Sequence, residues 1–400
     1  MTSPPPTFFR CPPLTPDERE RFTQRGLAAA YEIAEKAQRY GGPIAWGLNS
    51  DEKDLQIFKR TSCSPSPPST RTAFLSWIEV VGTLDEVVEL FKSETTQEAK
   101  AYCRRFGHLM TDAVTLYSIV PPRRTDQREM INLSWRSFKS AIGNVITPRD
   151  ACVLDVHHSF TFNGRPVWVR LLKSVQLACC PDLQSTLGFV RMEIEIAGHV
   201  FMESIDRPGH LEIGYVVQSD MRGHLGHWAS WAIDLSVKKR CRNLLDMDRF
   251  LRENRLSKSP CLVPSQLASC RAATQCFLCV KPFRRLSVRR NCVKCGHVFC
   301  HHCNQVWLVC LRGVDTKVGV CNVCSLGTTA DRTTFLRATC ALGGKYSIRL
   351  TQNAVLFEGS DGAQSLPDTS TWGDDDNNNG CSSDNSFYES THRGSSKSLY

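Results

Sequence analysis

Eight cysteines near the C-terminal end of the chain form four Cys-x-x-Cys pairs. The pairs are Cys276/Cys279, Cys292/Cys295, Cys300/Cys303 and Cys321/Cys324. Two thiolates spaced in this way can both bind one tetrahedral Zn²⁺ at about 2.3 Å, so that four pairs make two closed sites. Because we recognise no secretion signal, metal ligation is a more economical interpretation than a disulfide framework. The spacing therefore predicts two bound zinc ions.

The segment that carries these pairs is small and strongly basic. It has few large apolar side chains, so metal binding would supply much of its folding free energy. From Cys270 to Cys324 it contains nine Lys or Arg residues and one Asp. A local positive charge of this kind indicates an anionic partner, such as a lipid surface or a nucleic acid.

The cysteine spacing, with Gly296 directly after the fourth ligand, resembles the FYVE finger of endosomal proteins. The resemblance implies that the sites interleave, with the first and third pairs on one zinc and the second and fourth pairs on the other. It also implies binding of phosphatidylinositol 3-phosphate at a membrane surface. The family's basic motif and membrane-touching loop correspond to residues 283–292. The lipid- and phosphate-binding residues predicted there and just after are Arg284, Arg285, Leu286, Val288, Arg289, Arg290 and Lys294.

The FYVE motif is degenerate in this chain. The family's Arg-Arg-His-His-Cys-Arg corresponds to residues 288–293, which read Val-Arg-Arg-Asn-Cys-Val. No tryptophan occurs in residues 264–275, and Gly319 replaces the arginine of the family's last Arg-Val-Cys. Surface cations attract an anionic membrane by about 1 kcal/mol each without recognising head-group stereochemistry. Affinity for anionic membranes thus follows more directly than selectivity for one phosphoinositide.

A RING finger is the alternative interpretation of the same segment. Residues 295–303 also fit that pattern if His297 replaces Cys292 as a ligand. The domain would then be a ubiquitin-ligase module, with Leu278 and Trp307 near its docking groove. We favour the FYVE interpretation because all four pairs are intact without His297. A DNA reader with Cys2His2 spacing does not match, and no nucleic-acid partner is expected.

Residues N-terminal to the finger predict a mixture of helices and strands. With 400 residues, 41% hydrophobic and 22% charged, the chain is long enough for two or three globular units. A capping box at Thr15 and Glu18 predicts a helix over about 16–40. Strands are predicted at 55–60 and 73–81. A second capping box at Thr83 and Glu86 opens a helix through Phe91, which we expect to resume through Tyr102 and Phe106.

From residue 151 the apolar period changes to two, which is typical of antiparallel strands with one solvent-exposed face. The strands are predicted at 153–157, 167–171, 190–196 and 211–217. A broken apolar stripe from Trp228 to Leu251 then predicts one long helix lying across the sheet. This order of elements indicates an α+β fold.

Three segments, 165–170, 188–192 and 216–223, resemble the START lipid-transfer fold. The resemblance covers about 15–255 and implies a helix-grip fold, in which a curved antiparallel sheet and a long C-terminal helix enclose an apolar cavity for one lipid or sterol. Arg170 and Asp206 are candidates for the polar groups of that cavity; surface positions or a strand ion pair are the alternatives for both. A scaffold whose cavity is filled by its own side chains is a further alternative.

The predicted organisation has a disordered N-terminus (1–14), a START-like domain (15–255), a linker (256–266), a FYVE-related finger (267–330), an unassigned extension (331–356) and an acidic low-complexity tail (357–400). The tail carries eight acidic and two basic residues. No phosphate-binding glycine loop or nucleophile elbow occurs, and His157 and His158 point to opposite faces of a strand, so no enzyme activity is expected. We expect a cytoplasmic protein that is peripheral on endosomal membranes.

Overall fold

The computed structural model describes residue 4 and residues 8–52, 54–61, 71–91, 110–123, 128–139, 147–222, 229–326, 348–350 and 355–357. The chain divides into two compact units, Met1–Leu251 and Arg252–Tyr400. None of the described helices is both long and apolar enough to span a bilayer. The tail beyond 357, most of the extension at 331–356, and the helix predicted through Tyr102 and Phe106 lie outside the described residues.

Ten strands and most of the helices belong to the first unit. In chain order its described elements are α1 (Pro16–Lys36), β1 (Trp46–Glu52), β2 (Leu55–Arg60), β3 (Arg71–Val81), α2 (Leu84–Leu90), β4 (Met110–Val120), β5 (Met130–Phe138), β6 (Arg149–Phe162), β7 (Arg165–Ser174), α3 (Gln184–Leu187), β8 (Val190–Arg191), β9 (Glu193–Glu203), β10 (His210–Asp220), α4 (Ala229–Arg242) and α5 (Asp246–Lys258). The division between the units falls within α5, because Leu251 packs in the first core and Leu256 in the second.

One antiparallel sheet holds the described strands of this unit in the order β1-β2-β3-β10-β9-β7-β6-β5-β4, and β8 adds to β6 in parallel. The predicted α+β class with a large antiparallel sheet is confirmed. Strands β1, β4 and β5 were not predicted, although apolar and polar residues alternate over 131–136 of β5. The single strand predicted at 190–196 is divided at Met192, between β8 and β9.

Helices cover both faces of this sheet. On one face, Ala30 and Ile33 of α1 pack in a core with Trp135 of β5. On the other face, Phe91 after α2 and Leu244 after α4 share a core with Trp168 of β7. Every residue of β5 is buried. Residues 153–157 of β6 and 167–171 of β7 are also all buried. The solvent-exposed face predicted for those two strands is therefore wrong, because a strand covered on both sides has no polar face.

The N-terminal capping box forms as predicted, but residues 8–14, directly before it, are ordered. Glu18 N donates to Thr15 Oγ at 3.2 Å, and Thr15 N donates to the Glu18 carboxylate at 2.9 Å. Phe9 is 9% exposed and its ring centroid lies 5.7 Å from that of Trp135. Disorder was thus the wrong prediction for residues 8–14, because Phe9 finds apolar cover on the sheet.

The closing helix is two helices instead of one. A 3-10 turn over Asn243–Leu245 separates α4 from α5. Asp246 and Asp248 lie in the first turn of α5. Acidic side chains favour the positive end of a new helix, which explains a break at this point in an otherwise helical stripe.

The second unit is built from short hairpins. Its elements are a 3-10 turn (Pro264–Gln266), β11 (Arg289–Asn291), β12 (Val298–Cys300), β13 (Asn304–Leu311), β14 (Val314–Cys321), α6 (Asn322–Leu326), β15 (Ile348–Leu350) and β16 (Val355–Phe357). Strand β11 pairs with β12, β13 with β14, and β15 with β16. Leu256 is 2% exposed and Leu262 N donates to Val293 O at 2.8 Å, so the predicted linker packs within this unit.

Candidate metal centres and interior cavity

The eight cysteines converge on two points in the second unit. One group is Cys276, Cys279, Cys300 and Cys303, and the other is Cys292, Cys295, Cys321 and Cys324. Within each group all Sγ atoms lie within 4.8 Å of one another. Cys279 Sγ and Cys300 Sγ are 3.7 Å apart. That spacing matches the edge of about 3.8 Å expected for a sulfur tetrahedron around zinc. Among the described residues, both groups can hold a metal ion in the interleaved arrangement that the FYVE resemblance implies.

Tight turns aim the first two pairs of thiols. Val280 N donates to Cys276 O at 3.0 Å, and Gly296 N donates to Cys292 O at 2.8 Å. Both residues are left-handed, with φ of +57° at Val280 and +79° at Gly296. Glycine adopts this conformation freely, whereas a β-branched residue is strained by about 1–2 kcal/mol. The first turn therefore stores strain that the rest of the unit must offset.

The protonation of the thiols suits metal ligation. The hydrogen bond from Cys303, followed by backbone N–H groups, lowers the pKa of Cys276 to about 4. The hydrogen bond from Cys295, with those from Cys321 and Cys324, also holds the pKa of Cys292 below its ordinary value. The same hydrogen bonds raise the pKa of Cys303 and of Cys321, so within each group one thiol loses its proton before its neighbours do.

His297 is not part of either group. Its ring stacks on Phe277 with a centroid distance of 3.8 Å and an interplanar angle of 3°. Cys292 occupies the position that the RING interpretation gave to His297. Leu278 and Trp307 are each 5% exposed in the core of the unit, so they do not line a surface groove. The RING ligand set and its docking residues are therefore wrong.

The loop between the first two pairs exposes apolar side chains beside cations. Leu286 is 97% exposed and Val288 is 50% exposed. A turn holds the loop, in which Ser287 N donates to Arg284 O at 3.0 Å and Arg284 N donates to Ser287 Oγ at 2.8 Å. Arg284, Arg285 and Arg290 are exposed beside these apolar side chains. We call residues 284–290 the basic loop.

Two of the predicted phosphate contacts are engaged elsewhere. Lys294 Nζ donates to the carbonyls of Leu256, Ser259 and Pro260 at 2.8, 2.5 and 3.3 Å. It thus binds carbonyl groups at and beyond the end of α5, which a lysine near a helix C-terminus favours. Arg289 donates to Cys270 O at 3.1 Å and lies 5.2 Å from the Phe283 ring centroid. Lys294 is therefore a structural residue, and Arg289 is the half-buried arginine of the basic loop.

A second candidate site is a cavity of about 100 Å³ inside the first unit, between the sheet and the closing helices. Its apolar lining includes Phe91, Met110, Phe138, Leu172, Ile194, Ala197, Tyr215, Leu244, Met247 and Phe250. Its polar lining is Arg170, His199, Arg240 and Asn243. Arg170 was predicted here. Asp206 is exposed in the turn between β9 and β10, which is the surface position given above as its alternative.

Register brings the polar groups of the cavity together. Arg170 of β7 pairs with His199 of β9. The Arg170 guanidinium lies 5.1 Å from the Phe91 ring centroid, and that of Arg240 lies 5.1 Å from Phe138. Burial, together with these two cations, lowers the pKa of His199 to about 3. The imidazole is thus neutral at physiological pH, and its Nδ1 atom has no hydrogen-bond partner among the described residues.

A buried charge cluster lies in the same core. Arg136 and Asp155 form an ion pair in which their side chains are 1% and 0% exposed. Burial raises the pKa of Asp155, but the positive charges of Arg136 and Arg170 outweigh that effect and keep the carboxylate ionised. Burial also lowers the pKa of His157 to about 3 against the attraction of Asp155. His158, the next residue, instead contacts Glu129 at 2.5 Å, so the two histidines do not converge.

The sequence interpretation missed His199, Arg240 and Asn243 as cavity residues. For Asp155 a signal was available, since it interrupts a run of apolar residues in a strand. An ionised side chain at such a position must be paired or functional. His199 and Arg240 gave no comparable signal, because only the pairing of strands and the packing of α4 bring them to one cavity.

Comparisons with known proteins find solved structures of START-related domains that are similar to part of this chain. No protein-family model matches the chain, and no curated protein sequence matches it. Human StAR-related lipid transfer protein 5 aligns with 58% of this chain and 98% of its own, at 16% identity and a TM-score of 0.46. Human STARD10 aligns with 54% of this chain and 78% of its own, at 12% identity and a TM-score of 0.38. The lipid transfer and protein localization domain of human StarD13 aligns with 53% of this chain and 92% of its own, at 15% identity and a TM-score of 0.33. At these values the likeness identifies neither a ligand nor an activity.

Acid should destabilise the first unit through its two buried histidines. In the folded chain the pKa of His157 and that of His199 are each lowered to about 3, against an ordinary value of 6.5. Between these values the unfolded chain binds protons that the folded chain does not. The free energy of unfolding should therefore fall as the pH drops from about 6.5 towards 3, by up to about 1.4 kcal/mol per pH unit for each histidine.

Denaturant titrations across this pH range measure the effect. A His199→Gln variant is expected to lose stability less steeply with acid than the wild type. His210→Gln, at the start of β10 and outside the cavity, is the matched control and should keep the wild-type slope. Equal slopes for His199→Gln and the wild type would contradict the assignment.

Proposed function

We propose that this protein is a non-enzymatic lipid-binding adaptor. The first unit binds one lipid or sterol in its interior, and the second unit is a double-zinc finger that docks on anionic membranes. The single observation that carries the first part is the apolar cavity into which Arg170, His199 and Arg240 all project polar groups. The exposed basic loop carries the second part.

The cavity lining has the composition expected of a ligand pocket. Such pockets have mostly apolar walls with a few polar groups that orient the ligand. The Nδ1 atom of His199 is buried with its hydrogen-bonding capacity unused by the described residues, which costs free energy unless a ligand or water contacts it. Two guanidinium groups beside a neutral imidazole would orient a hydroxyl, carbonyl or phosphate oxygen of the lipid.

A complete lipid requires the cavity to widen. Its volume of about 100 Å³ admits a polar group or a few water molecules, whereas small-molecule pockets measure about 300–1,000 Å³. Met247 of α5 and Phe250 line the side formed by the closing helices. Methionine adapts its shape easily, so displacement of this side is the route by which we expect the apolar part of the ligand to enter.

Native mass spectrometry of the full chain purified from a eukaryotic host tests lipid binding. We expect one lipid mass per chain. Ala197→Leu fills the cavity from β9 and should remove that adduct. Val200→Ile, on the same strand but in the core beneath α1, should retain it. A wild-type chain without lipid, or an adduct unchanged by Ala197→Leu, would contradict the proposal and favour a cavity filled by its own side chains.

Zinc is the metal that the donor set of the second unit fits best. Each group offers four thiols and no oxygen ligand, and four-thiolate tetrahedral sites are typical of structural zinc. The residues that would hold the two ions are the eight cysteines of the two groups. Bound zinc would join hairpins whose common core is small, and would thus supply folding free energy.

The number of bound zinc ions tests whether Cys292 or His297 is a ligand. The full chain expressed with zinc is expected to bind two ions per molecule, as measured by native mass spectrometry. Cys292→Ser should lower the count because it removes one ligand from a closed site, whereas His297→Ala should leave both ions bound. Loss of zinc in His297→Ala alone would contradict the ligand assignment, and an ordered, zinc-free finger after exhaustive chelation would exclude a structural zinc.

The basic loop supports docking on a lipid surface. Leu286 exposes almost its whole side chain and Val288 half of its own, so that the loop offers an apolar tip to a partner. Arginine side chains flank it, and their planar guanidinium groups bind phosphate through two parallel hydrogen bonds. Insertion of Leu286 and Val288 among the acyl chains would bring Arg284 and Arg285 to the level of the phosphates. In its specific form, the proposal is that the bound lipid is phosphatidylinositol 3-phosphate and that the membrane is endosomal.

Vesicle flotation tests docking. We expect the zinc-loaded chain to bind phosphatidylcholine vesicles that contain phosphatidylinositol 3-phosphate, and Arg284→Glu/Arg285→Glu to weaken binding at least about 30-fold, because two attractive charges of about 1 kcal/mol each become repulsive. Lys317→Glu, an exposed cation on β14, is the matched control and should lose far less. Equal binding to phosphatidylserine vesicles of the same charge would exclude phosphoinositide selectivity. An equal loss of vesicle binding in Lys317→Glu would exclude the basic loop as the docking surface.

A further inference from the structure

Two cysteines of the first unit, neither of which belongs to the two groups of four thiols, lie in contact. One is in the N-terminal arm, which we define as residues 8–14, and the other is in the turn after β7. Cys11 Sγ and Cys179 Sγ are 3.2 Å apart, although the two residues are 168 positions apart in the chain. Both are half-buried, so small molecules can reach them. Neither residue lines the interior cavity or takes part in the proposed function.

Independent contacts hold the two thiols in this position. On the side of the arm, Phe9 packs on Trp135 and Tyr117 Oη donates to Pro12 O at 2.7 Å. Tyr117 Oη also lies 3.6 Å from Cys179 Sγ. On the other side, Cys180 N donates to Leu177 O at 3.0 Å in the turn that follows β7. The approach of the two sulfurs thus follows from anchored backbone on both sides.

The neighbouring cysteine pair is less accessible. Cys180 and Cys152 are both buried, and Arg191 Nη2 lies 3.9 Å from Cys180 Sγ. Arg191 also forms an ion pair with the buried Asp150 at 2.8 Å, which holds this end of β8 in place. Cys180 is therefore adjacent to Cys179 in sequence but directed inwards, and Cys11 meets only the outer of the two thiols.

We propose that Cys11 and Cys179 are a site of reversible oxidation, at which a disulfide fastens the N-terminal arm to the body of the first unit. The oxidant is a peroxide. The thiolate of Cys179 attacks one peroxide oxygen, the O–O bond breaks, and sulfenic acid and water form after one proton is taken up. The Cys11 sulfur then attacks the sulfenic sulfur; its S–H proton leaves with the hydroxyl as a second water, and the S–S bond forms. A dithiol reductant reverses the reaction.

The bond would fix one wall of a surface groove. The groove has a volume of about 570 Å³, and its lining includes Pro12 and Leu14 of the arm, Phe22 of α1, and Leu177 and Cys179 of the opposite wall. In the reduced chain the arm is held by the buried ring of Phe9, by the packing of Cys11 and Leu14 against the same core, and by a few hydrogen bonds. Local opening can break these contacts. A disulfide that joins residues this far apart in sequence removes that opening, because both walls are then covalently linked.

Peptide mapping of the zinc-loaded full chain tests the site. After hydrogen peroxide treatment, thiol blocking and trypsin digestion without reductant, we expect residues 11–19 linked to residues 174–191, with a total mass about 2 Da below the sum of the two peptides. The second peptide contains both Cys179 and Cys180. Two variants assign the partner: Cys179→Ser should abolish the link, and Cys180→Ser should retain it.

Thermal unfolding supplies a second readout. Peroxide should raise the melting temperature of the first unit, dithiothreitol should return it, and Cys11→Ser should remove the response while its reduced form melts like the reduced wild type. Cys261→Ser, a half-buried cysteine of the second unit, is the matched control and should respond fully. A link that persists in Cys179→Ser, or an exposed Cys310 that oxidises while Cys11 stays a free thiol, would overturn the proposal. Neither readout depends on bound lipid.

Discussion

The convergence of eight thiols on two points is the constraint on which the second unit depends. Each group joins segments that are distant in sequence, since Cys276 meets Cys303 and Cys292 meets Cys324. The short hairpins between them bury few large side chains, so the thiol groups, with the ions we propose for them, define which strands meet. The exposed basic loop is a consequence, because it is the stretch of chain between two pairs that belong to different groups.

The first unit depends on a different balance, between apolar burial and buried charge. Helices cover both faces of its sheet, and the side chains of Arg136, Asp155 and His157 are shut off from bulk water. Arg136 and Asp155 remain ionised because they neutralise each other, whereas His157 and His199 remain neutral because burial makes their charged forms costly. The interior therefore combines apolar walls with polar groups of defined protonation, which is the combination that an amphipathic ligand needs.

The two proposed binding surfaces use opposite physical arrangements. In the interior cavity, polar groups are few and surrounded by apolar side chains, so that a ligand is desolvated before it contacts them. In the basic loop, apolar side chains are few and surrounded by cations, so that long-range attraction precedes apolar contact. An adaptor with both surfaces could hold one lipid while it rests on a bilayer of others.

The spacing of the cysteines identified by itself the eight thiols that form the two groups, because a Cys-x-x-Cys turn brings its two thiols together through local backbone geometry. Likewise, the capping boxes at Thr15 and Thr83 marked true helix starts, since their hydrogen bonds join residues three positions apart. Only the tertiary structure decided that Lys294 binds carbonyl groups near α5, that Asp206 lies outside the cavity, and that Arg240 and His199 share it. The same is true of the contact between Cys11 and Cys179. These outcomes depend on strand pairing and helix packing between distant segments, and such contacts leave no periodic pattern in the residues that make them.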